Sequence, residues 1–534
     1  MTTTEQRPVG RPASKPVRRV RLAGLLSGLL ALAAFLGVAE LVGALVGPSS
    51  TPAIAIGQTA IDAVPVELKE FAIRTFGDND KIVLLAGIFA TLAGLAALAG
   101  LAATWRLAFG LVPVGLLTVV AALAAVSRPT GRPIDALPAV LGGLAAAGAL
   151  YLLRVRRTRA GSAATPAVPP NPAHGPANSE LTRRTLVTYG LVIAGAAAAA
   201  TVSGRTFLAR SGQALASRMA IVLPAVASKA PAAVGVPQVD IKGAVPFFTP
   251  NDDFYRVDTA LTVPQIDAAT WSLRIHGMVD RPVTLSLADL LDEPLVERDI
   301  TLTCVSNEVG GPYIGNARWT GVLLGPLLER YGVQAGATQV LSRSVDGWTC
   351  GTPTEAITDG RDAMLAVAMN GEPLPLEHGF PVRMVVPGLY GYVSATKWLT
   401  ELELTTLDEK AYWITRGYAQ QAPIKISSRI DTPKPLSRVP AGTIPIAGVA
   451  WAQRTGIATV EVSIDGGAWQ PARLAGEAGI DTWRQWVFLW EAAPGSHRIA
   501  VRATDKDGGT QTADRAPIFP DGATGRHELL VTVA

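Results

Sequence analysis

Four long apolar segments fill most of the first 153 residues and constrain the fold more than any other feature of the sequence. Rich in Leu, Ala, Val and Gly, they cover residues 22–47, 81–104, 107–126 and 134–153. Each approaches or exceeds the ~20 residues that an α-helix needs to cross a bilayer. The apolar fraction of 49% and the mean hydropathy of +0.30 are also high for a soluble chain. We therefore predict a bundle of four transmembrane helices in residues 22–153.

A fifth, weaker apolar segment covers residues 185–204 and contains no charged residue. Basic residues predict the orientation, because they are retained on the cytoplasmic side of a membrane. The tail of residues 1–21 and the start of the Pro/Ala-rich linker of residues 154–184 are basic. Residues 48–80 are predicted to form a loop, which is acid-leaning and is therefore expected on the outer side. We therefore expect the tail and the linker in the cytoplasm, a fifth transmembrane helix, and residues 205–534 on the extracytoplasmic side.

The pair Arg183-Arg184 stands directly before this fifth segment. It fits a twin-arginine export signal placed inside the chain, which would carry the C-terminal half across the membrane already folded. It fits equally an ordinary basic flank on the cytoplasmic side. Both interpretations stay open from the sequence.

Composition excludes several classes of function. The net charge of +4 is small for 534 residues, and no basic segment is studded with aromatic residues, so no nucleic-acid partner is expected. Two cysteines cannot build a disulfide framework, a zinc ribbon or a thiolate iron–sulfur cluster. None of the five histidines lies in an apolar segment, which excludes a bis-histidine haem within the membrane.

The pattern changes after a linker over residues 205–244. Segments such as WSLRIHGMVD and QVLSRSVDGWT predict strands. The segment LSLADLLDE predicts a helix that is capped by Ser286, with Asp289 three positions later. Residues 245–425 are therefore predicted to form a mixed α+β domain. In residues 426–534 the helical signals fade and short strands with Asp-Gly turns remain, which predicts an all-β, immunoglobulin-like sandwich.

Cys304, in the segment TLTCVSNEVGG, is one of only two cysteines and lies close to a double glycine. Three interpretations are open from composition: a buried thiol, half of a disulfide with Cys350, or a thiolate that holds a metal. Soft thiolate sulfur suits a redox metal that is bound through sulfur. The segments that surround Cys304 favour the third interpretation.

Those segments, taken in order, resemble the sulfite oxidase family of molybdenum-cofactor enzymes. They are NDDFYRVDTAL, WSLRIHGMVDRPVTLSLADLL, TLTCVSNEVGG, GNARWTGVLL, MNGEPLPLEHGFPVRMVVPGLYGYVSATKWLTELEL and VEVSIDGGAWQ. The resemblance runs from about Thr249 to the C-terminus, and the apolar N-terminal part is similar to that of membrane-anchored bacterial members. It implies molybdenum bound by molybdopterin, a pyranopterin dithiolene, with Cys304 as the metal ligand at the catalytic centre. It also implies that residues 426–534 are a dimerisation domain.

The resemblance further indicates which residues hold the cofactor. HGFPVR offers His378 and Arg383, and SATKW offers Ser394, Thr396 and Lys397. The corresponding His, Arg and Lys of the family hold the pterin and its phosphate. The chemistry agrees, because a buried phosphate requires charge-assisted donors. Any one of these residues alone could equally be a surface cation or a satisfied core histidine.

Two departures from the family pattern weaken the assignment of sulfite as the substrate. In FYRVDT, Tyr255 is a candidate cofactor contact and Arg256 a candidate anion-binding catalytic residue, but sulfite oxidases proper tend to have Arg-Asn-His here. Cys350 stands where the sulfite-oxidising branch places an active-site tyrosine before a glycine. It either lines the substrate pocket, as a catalytic candidate, or is a packed thiol.

We therefore predict a molybdopterin-dependent oxidoreductase that transfers an oxygen atom to or from a small substrate in a two-electron reaction. Sulfite-type oxidation and sulfoxide-type reduction both fit. The chain has no Cys-x-x-Cys-His haem motif, so an external electron carrier is expected, either a cytochrome or a quinone-linked protein. A homodimer through residues 426–534 is expected as well. The rival hypothesis is a membrane-anchored binding module that keeps the fold without turnover.

Overall fold

The computed structural model of the chain describes residues 15–47, 50–76, 80–128, 131–162 and 212–534. The chain divides into two compact units, Met1–Arg210 and Ser211–Ala534. The predicted fifth transmembrane segment, the Arg183-Arg184 pair and most of the Pro/Ala linker lie outside the described residues.

The first unit is helical throughout its described part. Its helices are α1 (Lys15–Val46), α2 (Pro52–Ala63), α3 (Val66–Phe76), α4 (Asp80–Trp105), α5 (Leu107–Val126) and α6 (Leu137–Ser162). Among the described residues, four stretches are long and apolar enough to cross a membrane: Val20–Val46, Lys81–Trp105, Leu107–Val126 and Pro133–Arg154. They coincide closely with the four apolar segments of the sequence. The acid-leaning residues between the first two segments, predicted as a loop, contain α2 and α3.

Small residues let these helices approach closely. A Cβ atom on Gly28 of α1 would overlap the carbonyl oxygen of Ala96 in α4, and one on Gly100 of α4 would overlap that of Gly24. Close packing of this kind is what associates helices where no hydrophobic driving force acts between them. The guanidinium of Arg154 donates to the carbonyl oxygens of Ala103 and Trp105 at the end of α4, which satisfies two acceptors that a helix end leaves open.

The second unit begins with α7 (residues 212–219) and continues as a mixed α/β region with two sheets. The first sheet has the order β3 (Val296–Thr303), β4 (Ile314–Leu323), β7 (Met364–Met369), β8 (Glu372–Pro373), with β9 (Arg383–Val385) also paired to β7. The second has the order β2 (Val283–Ser286), β1 (Ser272–Gly277), β10 (Leu399–Thr405), β5 (Gln339–Ser344), β6 (Thr349–Pro353). Three helices, α8 (Leu287–Leu291), α9 (Leu324–Tyr331) and α10 (Glu355–Thr358), connect the strands.

The predicted cap of α8 is confirmed. Asp289 N–H donates to Ser286 Oγ over 3.2 Å, and Ser286 N–H donates to Asp289 Oδ2 over 2.7 Å. This reciprocal pair satisfies two backbone donors at the helix start.

Two further sheets make up the C-terminal β region. The first has the order β11 (Ser427–Thr432), β13 (Gly442–Trp451), β17 (Arg484–Ala492), β16 (Arg473–Leu474). The second has the order β12 (Arg438–Val439), β19 (His527–Val533), β18 (Gly495–Asp505), β14 (Ile457–Ile464), β15 (Gln470–Pro471). Both sheets contribute to one buried core, which includes Ile446 and Trp486 from one sheet and Val462, Ile499 and Val531 from the other.

Candidate functional site

Cys304 lies at the first position after β3, in the loop that joins β3 to β4. The strand pairing leaves residues 304–313 as this loop. Cys304 N–H donates to Tyr313 O over 3.0 Å, and Ser306 N–H donates to Cys304 Sγ over 3.4 Å. The backbone of the loop therefore fixes the sulfur and directs a donor at it.

The electrostatic surroundings of Cys304 act in two directions. Burial raises the pKa of the thiol, because it disfavours the thiolate. The hydrogen bonds from Ser306 and the charge of Lys397 lower that pKa and offset part of the burial effect. A metal bound to the sulfur would keep it deprotonated.

Arg383 in β9 is a buried cation with an unsatisfied donor. Arg383 is 5% exposed. Its Nη1 donates to His378 O over 3.2 Å, and its guanidinium lies 5.0 Å from the centre of the Trp319 ring. Nε has no hydrogen-bond partner among the described residues. Burial lowers the pKa of Arg383 to about 10. A guanidinium in this state favours an anion.

Lys397 is also buried and shares a carboxylate with Arg256. Its Nζ lies 2.6 Å from Asp258 Oδ2 and donates to Glu377 O over 3.1 Å. Arg256 Nε lies 3.0 Å from the same Asp258 oxygen. Burial lowers the pKa of Lys397 to about 8, and the charge of Asp258 counteracts part of that shift. One carboxylate therefore compensates two cations.

His378 lies beside these cations at the end of the 3₁₀ turn Leu376–His378. Its Nε2 lies 2.9 Å from Asn251 O, and since a carbonyl can only accept, Nε2 carries the proton. Burial lowers the pKa of His378 to about 4, and the charges of Arg383, Lys397 and Arg256 add to the effect. The imidazole is therefore neutral at neutral pH.

Tyr255 connects the cations to Cys304. Its ring stacks on Phe254 at 5.2 Å and meets Tyr313 edge-on at 6.4 Å. Burial raises the pKa of the Tyr255 phenol, Cys304 raises it further, and Arg383 opposes the shift. The predicted residues Cys304, Tyr255, Arg256, His378, Arg383 and Lys397 are thus brought together in one part of the fold.

Comparison with known proteins identifies the family. The family model described as "Oxidoreductase molybdopterin binding domain" matches residues 260–413. Sulfite oxidase of Gallus gallus is 30% identical over 323 residues, which are 51% of this chain and 70% of that protein. The chain belongs to the sulfite oxidase family. Residues 260–413 correspond to its molybdopterin-binding domain.

The likeness covers part of the chain. Mitochondrial sulfite oxidase of Homo sapiens is also 30% identical, over 322 residues, and the chain spans 59% of its length. Among solved structures, the sulfane dehydrogenase SoxCD of Paracoccus pantotrophus is 23% identical, with a TM-score of 0.47, and the match covers 54% of this chain and 84% of that one.

The residues present fit the cofactor of the sulfite oxidase family. A phosphate buried in protein requires cationic donors that are not already paired. Arg383 supplies an unsatisfied Nε, whereas Arg256 and Lys397 share the carboxylate of Asp258. Cys304, with a backbone donor on its sulfur, suits a thiolate ligand to a metal.

Ser394 and Thr396 are satisfied within the protein. Ser394 Oγ lies 2.9 Å from Leu389 O and 3.0 Å from Tyr390 O. Thr396 Oγ1 lies 2.6 Å from Ser342 Oγ. Both residues are fully buried. Their hydroxyls hold the chain around Lys397 in place, and direct contact with the cofactor stays a prediction.

Cys350 lies in β6 and is fully buried. Its Sγ is 3.9 Å from Thr352 Oγ1. Burial raises the pKa of the thiol, and hydrogen bonds with nearby hydroxyls lower it in part. Both Cys304 and Cys350 are free, so they do not form the alternative disulfide. The surroundings of Cys350 are those of a packed thiol, and its catalytic role stays a prediction.

Asp258 is the site residue that sequence reasoning did not assign. It stands two positions after Arg256, so both side chains project to the same side of an extended chain. That spacing is the only local signal. The contact with Lys397 joins residues 139 positions apart and appears only once the chain has folded.

Proposed function

We propose that the chain is a membrane-anchored molybdenum-cofactor enzyme that acts on the extracytoplasmic side and exchanges an oxygen atom with a small substrate. The observation that carries this proposal is the buried excess of positive charge beside Cys304, with an unsatisfied donor on Arg383. A buried cation without a partner is costly in a fold that binds no ligand. The arrangement therefore supports a bound anionic group, and the Cys304 sulfur with its backbone donor favours the enzyme over the rival, a membrane-anchored binding module without turnover.

The residues would hold the cofactor as follows. Cys304 would be the protein ligand of molybdenum, Arg383 and Lys397 would bind the phosphate, and Tyr255 and His378 would contact the pterin. Lys397 uses two of its three donors on Asp258 and Glu377 O, and its Nζ also lies 4.6 Å from the centre of the Trp398 ring. The third donor is the one that a ligand would take. The bound molybdenum would supply the two-electron oxygen-atom transfer.

Arg256 is the cation best placed for an anionic or polar substrate. Its side chain is 32% exposed although Nε is paired with Asp258. The shared carboxylate weakens the attraction for a dianion such as sulfite. Sulfite-type oxidation and sulfoxide-type reduction are therefore both retained, with electrons passing to or from an external cytochrome or quinone-linked protein.

The membrane topology belongs to the same proposal. We place four transmembrane helices in residues 22–153 and a fifth in residues 185–204, with the basic tail in the cytoplasm. Four helices of sufficient length and apolarity among the described residues support the first four of these spans. The two sheets that share one core support an immunoglobulin-like fold for residues 426–534. That domain would form the homodimer.

Metal analysis of the full chain, purified in detergent with its N-terminal helices, tests the proposal. About one molybdenum per chain is expected in the wild type, and loss of the metal in Cys304→Ser. Cys350→Ser is the matched control and should retain the metal. A folded wild-type protein without molybdenum would support the binding module. A substrate screen with an artificial electron carrier, run in both directions, then separates oxidation from reduction.

A further inference from the structure

The C-terminal β region is in direct contact with the loop that carries Cys304. The ring of His527, the first residue of β19, packs against Gly310. A Cβ atom at Gly310 would lie 2.5 Å from His527 Cδ2 and from Nε2, closer than real Cβ contacts. Gly310 also has φ of +80°, a conformation that side chains disfavour. This contact therefore requires glycine at position 310 for two independent reasons.

The His527 ring is held in one tautomer. Ile430 N–H in β11 donates to His527 Nδ1 over 3.0 Å, so the ring proton lies on Nε2. Burial lowers the pKa of His527 to about 4, and the charges of Arg429 and Arg515 add to the shift. The ring that packs on Gly310 is therefore neutral and fixed by the backbone of the β region.

Arg429, the neighbour of Ile430, binds Gly311, the residue after Gly310 in the Cys304 loop. Its Nη1 donates to Gly311 O over 3.0 Å, and its Nε lies 2.7 Å from Asp431 Oδ1. The side chains of Arg429 and Asp431 are 9% and 4% exposed. Arg429 is therefore a buried bridge from β11 to the end of the Cys304 loop.

The strand that leads to Cys304 is held from the same side. Gln453 Nε2 donates to Thr301 O over 2.6 Å, and Trp483 N–H donates to Thr301 Oγ1 over 2.7 Å. Both partners belong to the C-terminal β region. That region thus contacts the chain on both sides of Cys304.

We propose that His527 and Arg429 are positioning residues that hold the Cys304 loop so that Ser306 N–H stays on the Cys304 sulfur. This inference rests on the proposed role of Cys304 as the metal ligand. Hydrogen bonds to a ligand sulfur withdraw electron density from it and raise the reduction potential of the metal. The C-terminal β region therefore tunes the metal centre, in addition to any part in dimer formation.

The test uses the full chain with its cofactor and the variants His527→Ala and Arg429→Gln. Three properties are measured: hydrogen exchange of the amides in residues 304–313, the electron paramagnetic resonance spectrum of the bound molybdenum, and its reduction potential. We expect loop exchange about tenfold faster, an altered spectrum and a more negative potential. His497→Ala is the matched control, because His497 lies on the neighbouring strand β18 and contacts Asp465, and it should leave all three unchanged.

A double-mutant cycle tests the contact itself. Gly310→Ala should perturb the loop strongly, and adding His527→Ala should restore part of the wild-type exchange rate, because the methyl group added at position 310 then has space. His527→Gln, a milder change, serves if His527→Ala does not fold. Folded variants with wild-type exchange, spectrum and potential would overturn the inference. A metal-free wild type would overturn the proposed function itself, which the metal content reveals separately.

Discussion

Lys397 and Asp258 form a nearly buried ion pair, with Nζ 2.6 Å from Oδ2 and side chains 10% and 6% exposed. Arg256 Nε lies 3.0 Å from the same oxygen. A single carboxylate thus fixes two of the three cations that we assign to the cofactor and substrate site. Arg383, the third cation, has no carboxylate partner among the described residues. Because the cations are paired differently, mutations at Asp258 and Arg383 should change the stability of the cofactor-free protein differently.

Asp258→Asn should destabilise the cofactor-free protein by about 3 kcal/mol, because the buried Lys397 must then either stay charged without this carboxylate or give up its proton. Urea unfolding of the full chain in detergent, followed by tryptophan fluorescence, measures this. Glu461→Gln is the control, since Glu461 pairs with Arg502 at 2.7 Å with both side chains 25% exposed. This control substitution should lower the free energy of unfolding by less than about 1 kcal/mol. Equal losses in the two variants would contradict the assignment of a buried pair.

Arg383→Gln should have opposite effects on stability and on cofactor retention. Removal of an unpaired buried cation should leave the cofactor-free protein as stable as the wild type or more stable. Loss of a charge-assisted donor to the phosphate should lower pterin occupancy by about tenfold or more. The fluorescence of pterin released per chain measures occupancy, with Arg502→Gln as the surface control. Unchanged occupancy in Arg383→Gln would remove Arg383 from the cofactor site.

Stability should fall as the pH is lowered from about 6.5 towards 4. The pKa values of His378 and His527 are lowered to about 4 in the folded chain, against about 6.5 when unfolded. Between these values the unfolded chain binds more protons, so acid favours unfolding. Each histidine should account for about 2 kcal/mol between pH 7 and pH 5.

Urea midpoints at the two pH values measure this dependence. His527→Gln should reduce it, whereas His497→Gln should not, because Asp465 raises the pKa of His497 in the folded chain. A pH dependence that is the same in His527→Gln and the wild type would show that His527 does not titrate as the structure indicates.

Local patterns in the sequence were sufficient for part of the fold and of the site. Length and apolarity predict the four spans, and the ordered segments predict Cys304, Arg383 and Lys397. The helices α2 and α3 were missed because both are short and lie in an acid-leaning segment. Asp258 and His527 could not be assigned, because their contacts with Lys397 and Gly310 join residues that are distant in sequence.

The proposed sidedness can be tested with reporters. Alkaline phosphatase fused after residue 534 should be active, since that enzyme requires export. Alkaline phosphatase fused to a chain that ends at residue 160 should be inactive, because the basic cluster after the fourth span keeps that end in the cytoplasm. An inactive phosphatase at residue 534, in a protein that is expressed at wild-type level, would place the site in the cytoplasm.

X-ray absorption at the molybdenum edge of the full-length protein tests the central claim most directly. Molybdenum in the wild type should show sulfur neighbours from the dithiolene and from Cys304, and any molybdenum that remains in Cys304→Ser should lack the thiolate contribution. Cys350→Ser should give the wild-type spectrum. A molybdenum site whose sulfur shell is unchanged by Cys304→Ser would contradict the account.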